Sequence, residues 1–133
     1  MRTTRPKNEE IPMSKKVLVV DDSGTMRKIV IRALNASGFS DTVEAGDGVE
    51  ALQVFQGSEI GMILTDWNMP NKSGLDLTKD IRALGSKVPI FMITTEAEKG
   101  RVMEAIQAGI TDYLTKPFTQ DALQAKLDKY AQA

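Results

Sequence analysis

Cysteine and histidine are both missing from this chain. Without cysteine there is no disulfide framework, no thiolate metal site and no thiol nucleophile. Without histidine there is no Ser-His-Asp or Cys-His catalysis, no imidazole zinc site and no phosphohistidine of the chain's own. No apolar run approaches the roughly 20 residues that a membrane span needs. The opening residues Met1-Arg2-Thr3-Thr4-Arg5-Pro6 lack the apolar stretch of a secretory signal. Neither sign of charge is in excess: the formal net charge is −1, so nothing in bulk points to nucleic acid or to an anionic membrane. Chemistry here must run on Asp, Glu, Lys, Ser, Thr or Tyr, with or without a hard metal ion. A cytoplasmic protein is expected.

What is present is ordinary in bulk and specific in arrangement. With 133 residues, 41% apolar and 26% charged, the chain is long enough for one domain with a real core. Residues 1–14 are polar and aperiodic, contain Pro6 and Pro12, and read as a flexible tail. From Lys15 onward, strand-like and helix-like segments alternate.

Val17 to Val20 is a short continuous apolar run, as expected of a strand covered on both faces. Met26, Ile29, Val30, Ala33 and Leu34 then recur at helical spacing, with Gly38 able to end the helix. Thr42 to Ala45 is a weak strand, Gly46-Asp47-Gly48 a turn, and Val49 to Phe55 a second helix. Met62 to Thr65 is the third strand. Leu75, Leu77, Ile81 and Leu84 mark a third helix, closed by Gly85. Val88 to Ile93 is expected as a fourth strand, with Pro89 tolerable only near its start. Val102, Met103, Ile106 and Ala108 fit a fourth helix ended by Gly109, and Tyr113 to Thr115 a fifth strand. Ala122, Leu123, Leu127 and Tyr130 fit a last helix, with Thr119 as its N-cap. Five strands alternating with five helices imply an α/β domain of right-handed βαβ units on a parallel sheet. With no second domain expected after the last helix, output is expected from this domain's own surface.

Asp21 and Asp22 follow the first strand, Asp66 the third, Thr94 the fourth and Lys116 the fifth. In an open parallel sheet those ends share one edge, where such sheets bind ligands. Three carboxylates and an ammonium should therefore converge, an arrangement suited to a hard divalent cation and a phosphoryl group. Mg²⁺ takes oxygen ligands, usually one or two carboxylates with waters and phosphate oxygens. Asp66 is the candidate nucleophile, since a carboxylate can attack phosphorus to form an aspartyl phosphate. A metal held by Asp22 and Asp66, together with Lys116, would offset the repulsion between carboxylate and phosphate. Each residue also has a plainer reading in isolation. Asp21-Asp22 can be an acidic turn capping the next helix, Asp66 an exposed loop aspartate and Lys116 a surface lysine. Thr94 can simply finish a strand.

Taken together, four segments resemble the receiver domain of two-component response regulators, most nearly the single-domain chemotaxis regulators. They are Val17-Leu18-Val19-Val20-Asp21-Asp22-Ser23, Leu64-Thr65-Asp66-Trp67-Asn68-Met69-Pro70, Met92-Ile93-Thr94-Thr95-Glu96, and Gly109 through Lys116-Pro117-Phe118. The likeness runs from about Lys15 to the C-terminus. It implies a flavodoxin-like fold with strand order 2-1-3-4-5, as known for this family. It also implies Asp66 as phosphoacceptor, and Asp21, Asp22, Asp66 and the Asn68 backbone carbonyl as Mg²⁺ ligands. Thr94 and Lys116 would contact the phosphoryl group. Tyr113 resembles the aromatic switch residue that turns inward as Thr94 moves; its plainer reading is a half-buried strand tyrosine. Asn68 and Glu96 occupy the two positions that tune dephosphorylation in the family, and an amide there can orient water. Ser23-Gly24 is a departure from the usual pattern after the acidic pair, without evident damage to the site.

The implied partners are a sensor histidine kinase of the chemotaxis type, which must supply the phosphohistidine this chain lacks, and a downstream target such as a flagellar motor switch component. The target would dock on the fourth helix, fifth strand and fifth helix. A phosphatase is a further partner; nucleic acid and membrane are not expected. The implied activity is that of a phosphoacceptor with self-phosphorylation and autodephosphorylation, not a turnover enzyme. A stand-alone receiver in a phosphorelay, or a phosphate sink, stays open. An aspartyl-phosphate hydrolase would need a D-x-D nucleophile after the first strand and a cap domain. A flavin carrier would need a Ser/Thr/Gly phosphate loop where Asp21 and Asp22 stand.

Overall fold

The computed structural model describes residues 15–95 and 100–130. The tail assigned to 1–14 and the position of Glu96 lie outside the described residues. The element order is β1 (Lys16–Val20), α1 (Gly24–Ala36), β2 (Thr42–Ala45), α2 (Gly48–Gly57), β3 (Ile60–Asp66), α3 (Gly74–Ala83), β4 (Ile90–Thr94), α4 (Val102–Ala108), β5 (Asp112–Thr115) and α5 (Gln120–Tyr130). All strand pairs are parallel, in the order β2-β1-β3-β4-β5. This is the α/β architecture and strand order expected from the sequence.

The continuous apolar runs are explained by the alternation of side chains across each strand. Val17 and Val19 of β1, Met62 and Leu64 of β3, and Phe91 and Ile93 of β4 pack with Val30 and Leu34 of α1 and Leu123 and Leu127 of α5. The alternate residues Leu18, Val20, Ile63, Ile90 and Met92 pack on the other face with Ala51 of α2, Leu75, Leu77 and Ile81 of α3, and Ala105 of α4. Two helices thus cover one face of the sheet and three the other.

Short polar side chains start α1, α2, α3 and α5. Ser23 Oγ accepts from the Met26 N–H at 3.1 Å, Asp47 Oδ1 from Glu50 at 2.8 Å, Ser73 Oγ from Asp76 at 3.1 Å and Thr119 Oγ1 from Ala122 at 3.0 Å. Gly109 ends α4 at φ 113°, in the left-handed region that glycine enters without steric cost.

Two expectations are corrected. Val88 and Pro89 lie before β4, which starts at Ile90. Proline has no N–H for the ladder, and the β3–β4 register begins at Ile63 opposite Ile90. Ile29 of α1, Val49 of α2 and Leu84 just past α3 are exposed instead of facing the core, and in α4 Met103 and Ile106 are 64% and 46% exposed. This seven-residue helix buries only the small Ala105, so its apolar stripe is narrower than the spacing suggested. Among the described residues no helix is long and apolar enough to cross a membrane.

Candidate functional site

The C-terminal ends of β1, β3, β4 and β5 bring the expected residues to one edge. The Asp21 N–H still donates to the Ala45 carbonyl at 3.2 Å, so Asp21 is held in line with the sheet. Its Oδ1 accepts the Ser23 N–H at 2.9 Å where the chain turns into α1. Asp66 closes β3 as its last residue. Asp21 and Asp66 are buried, and Asp22 is exposed. One carboxylate oxygen from each of Asp21, Asp22 and Asp66 lies within 4.8 Å of the others.

Lys116 joins them from β5. Its N–H donates to the Thr94 carbonyl at 2.6 Å, which fixes it beside the end of β4. The Lys116–Pro117 peptide is cis. The ammonium reaches Asp66 Oδ1 at 3.1 Å and Asp21 Oδ2 at 3.5 Å. One ammonium against three carboxylates leaves the cluster with a surplus of negative charge. That surplus, and an all-oxygen donor set, are what a hard divalent cation requires. The acidic cluster can hold such a metal.

Burial pushes the Asp66 carboxyl above its ordinary range; Lys116 pulls it back less strongly, and the Asp21 charge adds to the rise. For Lys116, burial alone would depress the ammonium, but Asp66 and Asp21 outweigh it and the net shift is upward. Asp66 is therefore a carboxylate that gains from any further positive charge brought to it.

Thr94 is fully buried, and its Oγ1 has no hydrogen-bond partner among the described residues. A buried hydroxyl without a partner is costly, and this one stands at the same sheet edge as Asp66 and Lys116. An incoming oxygen-rich group would satisfy it.

The remaining expected residues are Asn68 and Tyr113. Asn68 is exposed, two residues beyond Asp66 in the loop before α3. Tyr113 is half-buried, with the Lys126 ammonium 5.1 Å from its ring centroid. It lines a cavity of about 330 Å³ with Pro117, Phe118 and Lys126.

Three contacts at the site had not been expected. Arg27 of α1 donates from Nη1 to the Asp21 carbonyl at 2.6 Å and from Nε to Glu44 at 2.7 Å. Trp67 is buried, with the Arg101 guanidinium 4.8 Å from its ring centroid. Gly74 packs directly on the Asp66 backbone. The only local signal for any of these was the adjacency of Trp67 to Asp66.

Residues 17–128 match the model of the response regulator receiver domain. The chain belongs to this family. As a receiver domain it is 47% identical over 116 residues to the chemotaxis protein CheY-3 of Vibrio cholerae, covering 86% of this chain and 89% of that protein. It is 46% identical to the chemotaxis protein CheY1 of Helicobacter pylori, covering 85% and 94% of the two chains. The crystal structure of the receiver domain of the Pseudomonas aeruginosa sensor histidine kinase PA1611 superposes with a TM-score of 0.79 at 29% identity, covering 90% of this receiver and 98% of that chain. That neighbour carries a magnesium ion in its active-site cleft.

Proposed function

We propose that this receiver is a single-domain response regulator that accepts a phosphoryl group on Asp66 from a histidine kinase, and that it works in cytoplasmic chemotaxis signalling. The observation that carries this reading is the buried Asp66 carboxylate, with Lys116 at 3.1 Å and two further carboxylates beside it. Likeness to chemotaxis proteins over most of the chain supports the pathway.

Asp21, Asp22, Asp66 and the Asn68 backbone carbonyl would hold Mg²⁺. When bound, the ion supplies positive charge that lets an anionic carboxylate meet an anionic phosphoryl group. An Asp66 oxygen attacks phosphorus; the bond from phosphorus to the donor histidine nitrogen breaks and a phosphorus–oxygen bond forms. The Lys116 ammonium, released from its pairing with Asp66, turns to the phosphoryl oxygens. The Thr94 hydroxyl donates to another of them and loses its orphaned state. Tyr113 and the α4–β5–α5 face carry the change to a downstream target such as a motor switch component. Asn68 and Glu96 tune the later hydrolysis of the acyl phosphate, the Asn68 amide by orienting the attacking water. The chain is a phosphoacceptor and binding switch, not a turnover enzyme.

The test is mass spectrometry after incubation with Mg²⁺ and a small phosphodonor. One phosphoryl adduct is expected on the parent and none on Asp66→Asn. An adduct that persists in Asp66→Asn overturns the assignment.

A further inference from the structure

The loop 67–73, which leaves Asp66 and carries Asn68, is tied down from outside its own strand–helix unit. The start of α2 holds its tip. The Asn71 side-chain amide donates to Asp47 Oδ2 at 2.7 Å. The next residue is held through the backbone, with the Gly48 N–H donating to the Lys72 carbonyl at 3.1 Å. The two backbones are so close that a Cβ on Gly48 would overlap that carbonyl and stand 2.8 Å from the Lys72 Cβ. Lys72 itself is paired with Asp80 of α3.

Asp47 is shared between two tasks. Oδ1 caps α2 by accepting from Glu50, while Oδ2 takes the Asn71 amide. The Glu50 N–H first, and the Asn71 amide second, hold this carboxyl below its usual range, so it is a charged acceptor at neutral pH. Asn71 has φ 70°, the one non-glycine residue with positive φ among the described residues. Asparagine tolerates this left-handed conformation better than most residues. The loop therefore turns at a point that the Asp47 contact pins.

We propose that Asp47 is a positioning residue for the metal site, acting through Asn71 to fix the loop that carries the Asn68 carbonyl. The inference rests on the reading of that carbonyl as a metal ligand. Mg²⁺ demands near-ideal octahedral geometry. A backbone carbonyl cannot adapt by changing rotamer, so its placement depends on the conformation of the loop. Partners that orient metal ligands from outside the coordination shell typically change affinity by about 10–100-fold when removed.

Two substitutions separate bracing from capping. Asp47→Ser keeps a capping oxygen but is too short to reach Asn71. Asn71→Gly keeps access to positive φ but removes the amide. Thr119→Ala, which removes the α5 cap without touching α2 or the loop, serves as a stability control. Mg²⁺ affinity is measured by calorimetric titration and Tm on the same proteins. Each single variant is expected to raise the Mg²⁺ Kd about 10-fold. The double variant should be no worse than either single, because both remove one contact. Thr119→Ala should lower Tm and leave Kd unchanged. Parent-like Kd in both single variants, whatever their Tm, would overturn the proposal while leaving the metal site intact. If the parent shows no saturable Mg²⁺ binding, the metal reading itself fails and the positioning role falls with it.

Discussion

Gly74 lies so close against Asp66 that no side chain fits between them. A Cβ at this position would overlap the Asp66 carbonyl oxygen and stand 3.0 Å from the Met92 sulfur. The contact is locked by the Gly74 N–H, which donates to the Trp67 carbonyl at 2.8 Å. Gly74→Ala must therefore move the backbone of the candidate nucleophile. Overpacking of this kind costs on the order of 2 kcal/mol or more, roughly 8 °C in Tm for a domain near this size. Gly57→Ala is the contrast, since nothing lies within 4 Å of its added Cβ; its Tm should match or slightly exceed that of the parent. Thermal scans of the three proteins decide the matter, and a parent-like Tm for Gly74→Ala would refute the contact.

The strands and the convergence of four charged side chains on one sheet edge were legible because both follow local rules. Val17–Val20 and Met62–Thr65 are continuous apolar runs, and a parallel sheet carries their ends to one edge. Asp21, Asp22, Asp66 and Lys116 could therefore be brought together by order along the chain alone. The misplaced parts depend on partners that local pattern does not encode. Met103 and Ile106 have helical spacing but stay exposed, because only Ala105 of α4 is buried. Val88 reads as strand, yet Pro89 delays the ladder to Ile90. The Asp47–Asn71 bridge spans 24 positions. Its two residues read individually as ordinary turn formers, so nothing local signals their pairing.

Tyr130 offers a test at alkaline pH. Its hydroxyl lies 3.3 Å from the Thr111 carbonyl and 3.3 Å from Asp112 Oδ2, and its ring stands edge-on to Phe91 at 5.5 Å. Burial first, and the Asp112 carboxylate second, raise the phenol above its ordinary value near 10. A phenol raised in the folded state binds its proton more tightly there than in the unfolded chain. The stability this contributes is complete below pH 10 and is lost as pH rises through the higher folded value. Tyr130→Phe should therefore be less stable than the parent at pH 8. Its deficit should shrink once the parent's phenol ionises. Urea unfolding of both proteins from pH 8 to pH 11.5 measures the difference. A deficit that stays constant across the range would show that the hydroxyl is unperturbed.

The charge surplus around Asp66 makes a prediction about the metal that does not depend on phosphorylation. Three carboxylates share the site with the single Lys116 ammonium, and Asp66 is already held above its usual range by burial. Without a cation, folding brings like charges together. A divalent ion that binds only the folded chain adds about 1.4 kcal/mol at ten times its Kd, roughly 6 °C in Tm for a domain near this size. Monovalent salt at matched ionic strength screens the same repulsion and must be subtracted. Asp22→Ala removes one oxygen donor and one negative charge together, so its metal-free Tm reads the repulsion and its Mg²⁺ response reads the coordination. Its Tm without metal should equal or exceed that of the parent, while its Mg²⁺ response should fall to the level of the salt control. Differential scanning calorimetry on both proteins reads the two effects at once. Equal Mg²⁺ shifts would mean that Asp22 is no ligand, and a lower metal-free Tm in the variant would mean that the three carboxylates do not repel.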